Sequence, residues 1–460
     1  MVSAPETTLR RFQSTAVRRS AALDDLVRQA VFGAPEEREQ ARWLIWEIGQ
    51  QAGVRPASIH ELYLGRGRGE VRPFTTPAMN IRVLAYDSAR AIFRTAQRLE
   101  VGAVICEIAR SEIGYTEQRP AEYVAVMIAA ALREGFTGPL FIQGDHVQAN
   151  AKKYAADPEA ELQAIRTLIE EELQAGFYNI DVDTSTLVDL SKPTLDEQQR
   201  VNYERAAELT KFIRDREPEG ITVSVGAEIG EVGGKNSDVH ELKAFMDGYV
   251  RAVARLGGGP YIGISKISVQ TGTSHGGVVL PDGSIAKVQL DLAALKALSA
   301  DARSKYGLGG AVQHGASTLP QDAFGHFPKC EAIEIHLATN FQNIVLDHPK
   351  LPADLRRDLN AWVKVECKDE WKKGDTEEQF IYKSRKKAIG PFKRRLWDLP
   401  ADVRAAIAAD LEKTFAFLFE QLRVTDTRAV TDRYVRPPLQ SHGQPRPVAV
   451  AAPDDLEAGE

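Results

Sequence analysis

Between residues 77 and 338 the chain alternates short apolar runs with longer amphipathic stretches, and it does so eight times. The runs are 77–81 (PAMNI), 103–109 (AVICEIA), 140–145 (LFIQGD), 179–185 (NIDVDTS), 222–230 (TVSVGAEIG), 264–272 (ISKISVQTG), 311–315 (AVQHG) and 332–338 (AIEIHLA). The intervening stretches, such as 87–99, 121–134, 159–175 and 290–306, carry strong helix formers and charged faces. Alternation of this kind predicts parallel β/α units, and eight units predict a closed barrel rather than an open sheet. The expected fold class is therefore α/β, a (β/α)8 TIM barrel over residues 74–342, with N-terminal helices and a C-terminal helical extension.

The flanks follow other rules. Residues 20–64 show apolar positions at helical spacing (Leu23, Leu26, Val27, Ala30, then Trp43, Leu44, Ile45, Ile48). The glycine-spaced stretch from Gly65 to Gly69 reads as a flexible basic linker, which makes 1–73 an N-terminal helical segment and linker. Beyond the barrel, 343–436 reads as a charge-dense helical extension, and 437–460, rich in Pro, Ala and acidic residues, as a disordered tail. The arginine-bearing N-terminus reads as an amphipathic helix rather than a targeting segment, because Asp24 and Asp25 follow at once. No apolar run approaches the roughly 20 residues a membrane helix needs, so no membrane association is expected. With 58 Lys+Arg against 64 Asp+Glu the chain is mildly acidic, which argues against a nucleic-acid partner. Cys106, Cys330 and Cys367 are too scattered for a disulfide framework or a zinc ribbon and fit a reducing compartment, so the expected location is cytoplasmic.

Ionisable residues gather at the ends of the strand-like runs. Asp145 and His146 close the third, Asp183 and Ser185 the fourth, and Glu228 the fifth; His275 follows the sixth and His314 the seventh. In a parallel barrel these ends share one face, where active sites are built from several loops. Three imidazoles that converge there with an open position make a Lewis-acid zinc site. His336, at the end of the eighth run, is placed to face the same site. Glycines directly after His275 and His314 let the backbone present N–H groups to an anion, with Ser317 and Thr318 as hydroxyl donors, and together these point to a phosphorylated ligand.

In this order the motifs resemble the class II, metal-dependent ketose-bisphosphate aldolases, from about Phe74 to Asn340. "TTPAMNIRVLAYDSARAIFRTAQ" resembles the opening strand and helix, with Asn80 at the strand end, and "GDHVQANAKKY" resembles the Asp-His metal motif. "GFYNIDVDTSTL", "GAEIGEVGG", "TGTSHGG" and "HGAST" are similar to the four segments that follow. The resemblance implies that His146, His275 and His314 hold one catalytic zinc ion. It implies that Asp183 and Glu228 line an alternative, buried metal position that shares His146, and that Asp145 moves the proton on the sugar's C4 hydroxyl. Gly276, Gly315 and Ser317 match phosphate-contacting positions, and Asn80, Ser185 and Thr339 complete the expected substrate-binding set. A monovalent cation often accompanies the phosphate in the family.

The chain also departs from that pattern. Lys235 and Asn236 stand where acidic residues usually follow the Gly-Gly pair, Ala109 where a Ser is usual, and His336 and Ala338 replace the Asn and Asp of the eighth strand. Glu231 is the remaining carboxylate in that loop and reads as a solvated side chain. The expected activity is a zinc-dependent aldolase of carbohydrate metabolism, of the glycolytic aldolase type. It would reversibly cleave a phosphorylated ketose, fructose- or tagatose-bisphosphate-like, to dihydroxyacetone phosphate and an aldehyde. The family resemblance implies a homo-oligomer, a dimer or larger. A second resemblance leaves an alternative open. "GYTEQRPAEY", "GDHVQAN" and "YKSRKKAIGPFKRRLW" are similar to the non-catalytic accessory subunits that stabilise a partner tagatose-bisphosphate aldolase.

Overall fold

The computed structural model describes residues 4–230, 235–257, 262–272, 290–443 and 452–457. Among the described residues nine strands form one parallel sheet: β1 (Val54–Ala57), β2 (Thr76–Asn80), β3 (Ile105–Ala109), β4 (Gly138–Gln148), β5 (Asn179–Asp183), β6 (Ser224–Glu228), β7 (Lys266–Val269), β8 (Ala311–Gln313) and β9 (Glu334–Leu337). Strands β2 to β9 pair in sequence order, and β9 returns to pair with β2, so the eight expected runs close into the (β/α)8 barrel. All eight lie within a few residues of where the alternation predicts them.

Local chemistry explains the helices between the strands. Pro120 opens the helix Pro120–Glu134, and Gly135 ends it at φ 78, in the left-handed region where glycine carries no Cβ penalty. Asp157 accepts from Ala160 N at 3.1 Å to start Pro158–Ala175. Asp238 and Glu241 form a reciprocal capping box at the start of Val239–Arg255.

Two N-terminal expectations change. Within the stretch read as helical, Gly53 at φ 78 ends the helix Pro35–Ala52, and β1 follows as an extra strand on the lower part of β4. Pro56 is tolerated there because β1 pairs on one side only. The stretch expected as a flexible linker is instead largely the helix His60–Gly67. It crosses the N-terminal end of the barrel: Ile59 N donates to Asn179 Oδ1 at 2.9 Å, and a Cβ on Gly309 would stand 3.0 Å from Tyr63 Cβ. Arg66 in this helix is buried and donates to Phe74 O.

At the other end of the chain the helix Ala401–Gln421 packs on Ala85–Arg98, and Thr75 N donates to Leu422 O just before β2. The region read as a disordered tail differs in its described parts. Trp43 and Trp46 donate to His442 O and Gln440 O at 2.9 and 2.7 Å, and the His442 ring stacks on Trp46. Asp455 O accepts from Arg110, and Leu456 is buried. No described helix is long and apolar enough to cross a membrane.

Candidate active site

Polar residues at alternate positions of the strands face the barrel axis, and they form two connected groups. The upper group sits at the C-terminal ends of the strands. Strict alternation sends neighbouring residues of a strand to opposite faces, so Asp145 and His146 could not both point inward on a regular β4. The register of β4 against β5 shifts between Gly144 and Val147, and His146 adopts φ 42. This bulge turns both side chains into the barrel, at a backbone cost of about 1–3 kcal/mol that clusters at functional sites.

His146 Nδ1 lies 3.0 Å from Asp183 Oδ2 and 3.6 Å from Glu228 Oε2, and its Nε2 lies 3.8 Å from Asp145 Oδ1. Its ring centroid is 4.2 Å from that of His314, which follows β8 and has Nε2 at 2.9 Å from Ser268 Oγ. Burial opposes a proton on His146, but Asp145, Asp183 and Glu228 outweigh it and raise the imidazole to about 10. Burial also pushes Asp183 upward, yet its bonds with His146 and Ser185 hold it below the ordinary carboxylate value. Glu228 is pushed well above that value by burial and by the charge of Asp183.

Among the described residues four donor sets of the kind that bind a divalent ion result, each with its ligand atoms within 4.8 Å of one another: Asp145, His146 and His314, and His146, Asp183 and Glu228 in the upper group, and Glu107, Glu334 and His336, and Asp145, Asp181 and His336, around His336 below. The donor chemistry fits zinc, since imidazole and carboxylate are its usual ligands together with thiolate. Asp183 on Nδ1 of His146, and Ser268 on Nε2 of His314, are contacts of the kind that orient imidazoles at metal sites.

The other expected residues fall as follows. Asn80, at the end of β2, donates to Glu112 Oε2 at 2.6 Å and reaches Asp145 Oδ2 at 3.5 Å. Ser185 Oγ donates to Asp183 Oδ1 at 2.7 Å, so it braces that carboxylate. Gly315 adopts φ 66 directly after His314, Ser317 Oγ accepts from Ala338 N at 2.5 Å, and Thr339 opens the helix Thr339–Leu346. Those loops follow the seventh and eighth barrel strands, where barrels of this type commonly bind phosphate. A cavity of about 460 Å³ lies beside them, lined by Ser317, Asn340 and, from the C-terminal extension, Lys413 and Thr414. His275 and Gly276 lie outside the described residues, as does Glu231. Lys235 pairs with Glu241 at 3.1 Å on the surface.

The lower group was missed by the sequence reading, apart from His336. Lys266 Nζ, fully buried, contacts Glu334 Oε1 at 2.6 Å, Gln143 Oε1 at 2.7 Å and Asp181 Oδ1 at 2.9 Å. Tyr63 donates to the other oxygen of Glu334 from the helix beneath the barrel. His336 joins the two groups: its Nε2 is 2.7 Å from Glu334 Oε1, and its Nδ1 is 3.0 Å from Asp145 Oδ1 and 3.1 Å from Glu107 Oε2. Burial drives Glu334 upward, but Lys266 and His336 hold it down at about 2. Glu107, with burial and Asp145 both opposing its charge, is raised to about 8. The available signal was the alternation inside the runs: Cys-Glu-Ile, Ile-Asp-Val, Ser-Lys-Ile and Ile-Glu-Ile-His each place a charge where the barrel interior lies.

The family model for fructose-bisphosphate aldolase class II matches residues 71–388, most of the chain. No curated protein matches. Among solved structures, a "probable tagatose 6 phosphate kinase" from Sinorhizobium meliloti is 16% identical, with 78% of this chain and 99% of that chain covered at a TM-score of 0.51. The fructuronate-tagaturonate epimerase from Cohnella laeviribosi is 13% identical, with 86% of each chain covered at a TM-score of 0.51. A fructose-bisphosphate aldolase from Campylobacter jejuni is 15% identical, with 82% of this chain and 95% of that chain covered at a TM-score of 0.47. The two likenesses at a TM-score of 0.51 establish the fold alone.

Proposed function

Because the chain belongs to the fructose-bisphosphate aldolase class II family, we propose that it is a zinc-dependent aldolase. The proposed reaction is reversible cleavage of a phosphorylated ketose, fructose- or tagatose-bisphosphate-like, to dihydroxyacetone phosphate and an aldehyde. The observation that carries this reading is the convergence of Asp145, His146 and His314 at one mouth of the barrel, their ligand atoms within 4.8 Å of one another.

His146 and His314 would hold the metal, with His275 as the third ligand by family resemblance. Asp183 and Glu228 form the buried alternative position with His146. When bound, zinc supplies Lewis-acid polarisation of the ketose carbonyl. Asp145 accepts the C4 hydroxyl proton as the C3–C4 bond breaks, and returns it to the aldehyde oxygen in the synthetic direction. Asn80, held by Glu112, steadies Asp145 from β2. Gly315, Ser317 and Gly276 take the phosphate in this reading, with Ser185 and Thr339 completing the substrate wall. Lys235 points to Glu241 at the surface, so the proton at C3 is moved by another group or by water.

Elemental analysis of the purified protein, paired with cleavage assays on a panel of ketose mono- and bisphosphates, tests the proposal. Zinc together with cleavage supports it. Folded protein that shows neither would refute it, and cleavage that appears only when a second barrel protein is added would favour the accessory-subunit alternative.

A further inference from the structure

We propose that His336 is the positioning residue for Asp145, holding its carboxylate at the angle proton transfer needs while Glu334 and Lys266 hold His336 in turn. The role of Asp145 in proton transfer rests on the aldolase reading above; the contact itself does not. Asp145 sits on a bulged strand beside a residue in left-handed backbone, and its contact with Asn80 is long at 3.5 Å. The shorter contact is His336 Nδ1 to Asp145 Oδ1 at 3.0 Å. His336 is fixed from behind by Glu334 Oε1 at 2.7 Å, which Lys266 Nζ holds at 2.6 Å with no solvent contact.

Each ring nitrogen of His336 therefore faces a carboxylate, Glu107 Oε2 included at 3.1 Å on the Nδ1 side. A proton on Nδ1 makes His336 the donor to Asp145 Oδ1. The ring centroid lies 4.0 Å from that of His314, and His336 belongs to two candidate donor groups, one with Glu107 and Glu334 and one with Asp145 and Asp181, but its direct Nδ1 contact with Asp145 Oδ1 is what carries the positioning role. Its place in the site is to orient an acid–base group. A carboxylate that swings out of line by about 1 Å can cost on the order of a hundredfold in rate.

Two substitutions separate this role from a merely structural one. In His336→Asn the amide nitrogen stands where Nδ1 stood, so the donor to Asp145 is retained. In His336→Gln the amide reaches toward Glu334 and the donor to Asp145 is lost. Both remove the ring and its charge, so a packing or charge role would affect them alike. We expect kcat of His336→Gln to fall on the order of a hundredfold below that of His336→Asn, with KM values close to each other. Equal kcat losses would overturn the proposal. Crystal structures of the two variants supply a readout independent of turnover, with Asp145 in place in the Asn variant and rotated away in the Gln variant. An unmoved Asp145 in the Gln variant would overturn the proposal even if wild-type protein cleaves no ketose. Inactive wild type with the expected pair of structures would refute the aldolase reading alone.

Discussion

Lys266 extends its ammonium across the barrel interior because Gly226 leaves the space: a Cβ there would meet Asp181 Oδ1 and stand 2.9 Å from Lys266 Cε. Buried ion pairs are tolerated only when each charge finds partners, and removal of one partner typically costs about 3–5 kcal/mol. Lys266→Met should lose stability of that size, read by denaturant unfolding, since Glu334 and Asp181 remain behind without their cation. Gly226→Ala should cost about 1–3 kcal/mol by overpacking the same contact. His60 gives a pH-dependent case away from the mouth of the barrel. Burial, with Arg214 adding to it, lowers its imidazole to about 4. The folded protein then binds fewer protons than the unfolded chain between about pH 6.5 and 4, so stability falls as pH falls through that window. Wild type should lose on the order of 3 kcal/mol more than His60→Gln between pH 7 and pH 4; parallel pH profiles of the two would contradict this. At this scale the strand-end residues Asp145, His146, Asp183, Glu228 and His314 were legible, because a parallel barrel gathers strand ends on one face. Glu107, Asp181, Lys266 and Glu334 were not read, because interiors of such barrels are usually filled by branched apolar residues.

At the scale of elements, β4 shows how a short stretch of chain makes a site. The bulge between Gly144 and Val147 brings Asp145 and His146 to the same side, and nothing in "FIQGDHVQ" announces it beyond the glycine. The eight barrel strands were legible from their spacing, since each run of branched residues is followed by a stretch long enough for a crossover helix. β1 was not, because four residues containing a proline carry no periodicity, and pairing with β4 alone makes them a strand. The helix His60–Gly67 was hidden by its glycines, which read as a linker. They instead allow close approach: a Cβ on Gly67 would meet the Leu308 carbonyl, with Leu308 C at 3.0 Å. Gly67→Val should therefore lift this helix from the base of the barrel and loosen the Tyr63–Glu334 contact, with a lowered unfolding midpoint and faster amide exchange in residues 60–67.

Across the whole molecule, the candidate donor cluster, the buried ion network and the C-terminal extension are joined. The helix Ala401–Gln421 lends Lys413 and Thr414 to the cavity beside Ser317, and the described parts of 437–457 lie on the helix Pro35–Ala52 and against Arg110. Removal of residues 437–460 should uncover Trp43 and Trp46, shift their fluorescence to the red and leave the barrel folded. We propose that this barrel uses histidine-held zinc to cleave a ketose phosphate. The most direct measurement is zinc content and bisphosphate cleavage of the same sample before and after chelation, alongside His314→Ala. We expect roughly one zinc per chain, cleavage that disappears with the chelator and returns with added zinc, and a folded, inactive His314→Ala. Cleavage that survives complete removal of divalent metal, or a His314→Ala variant that keeps both zinc and wild-type turnover, would contradict it.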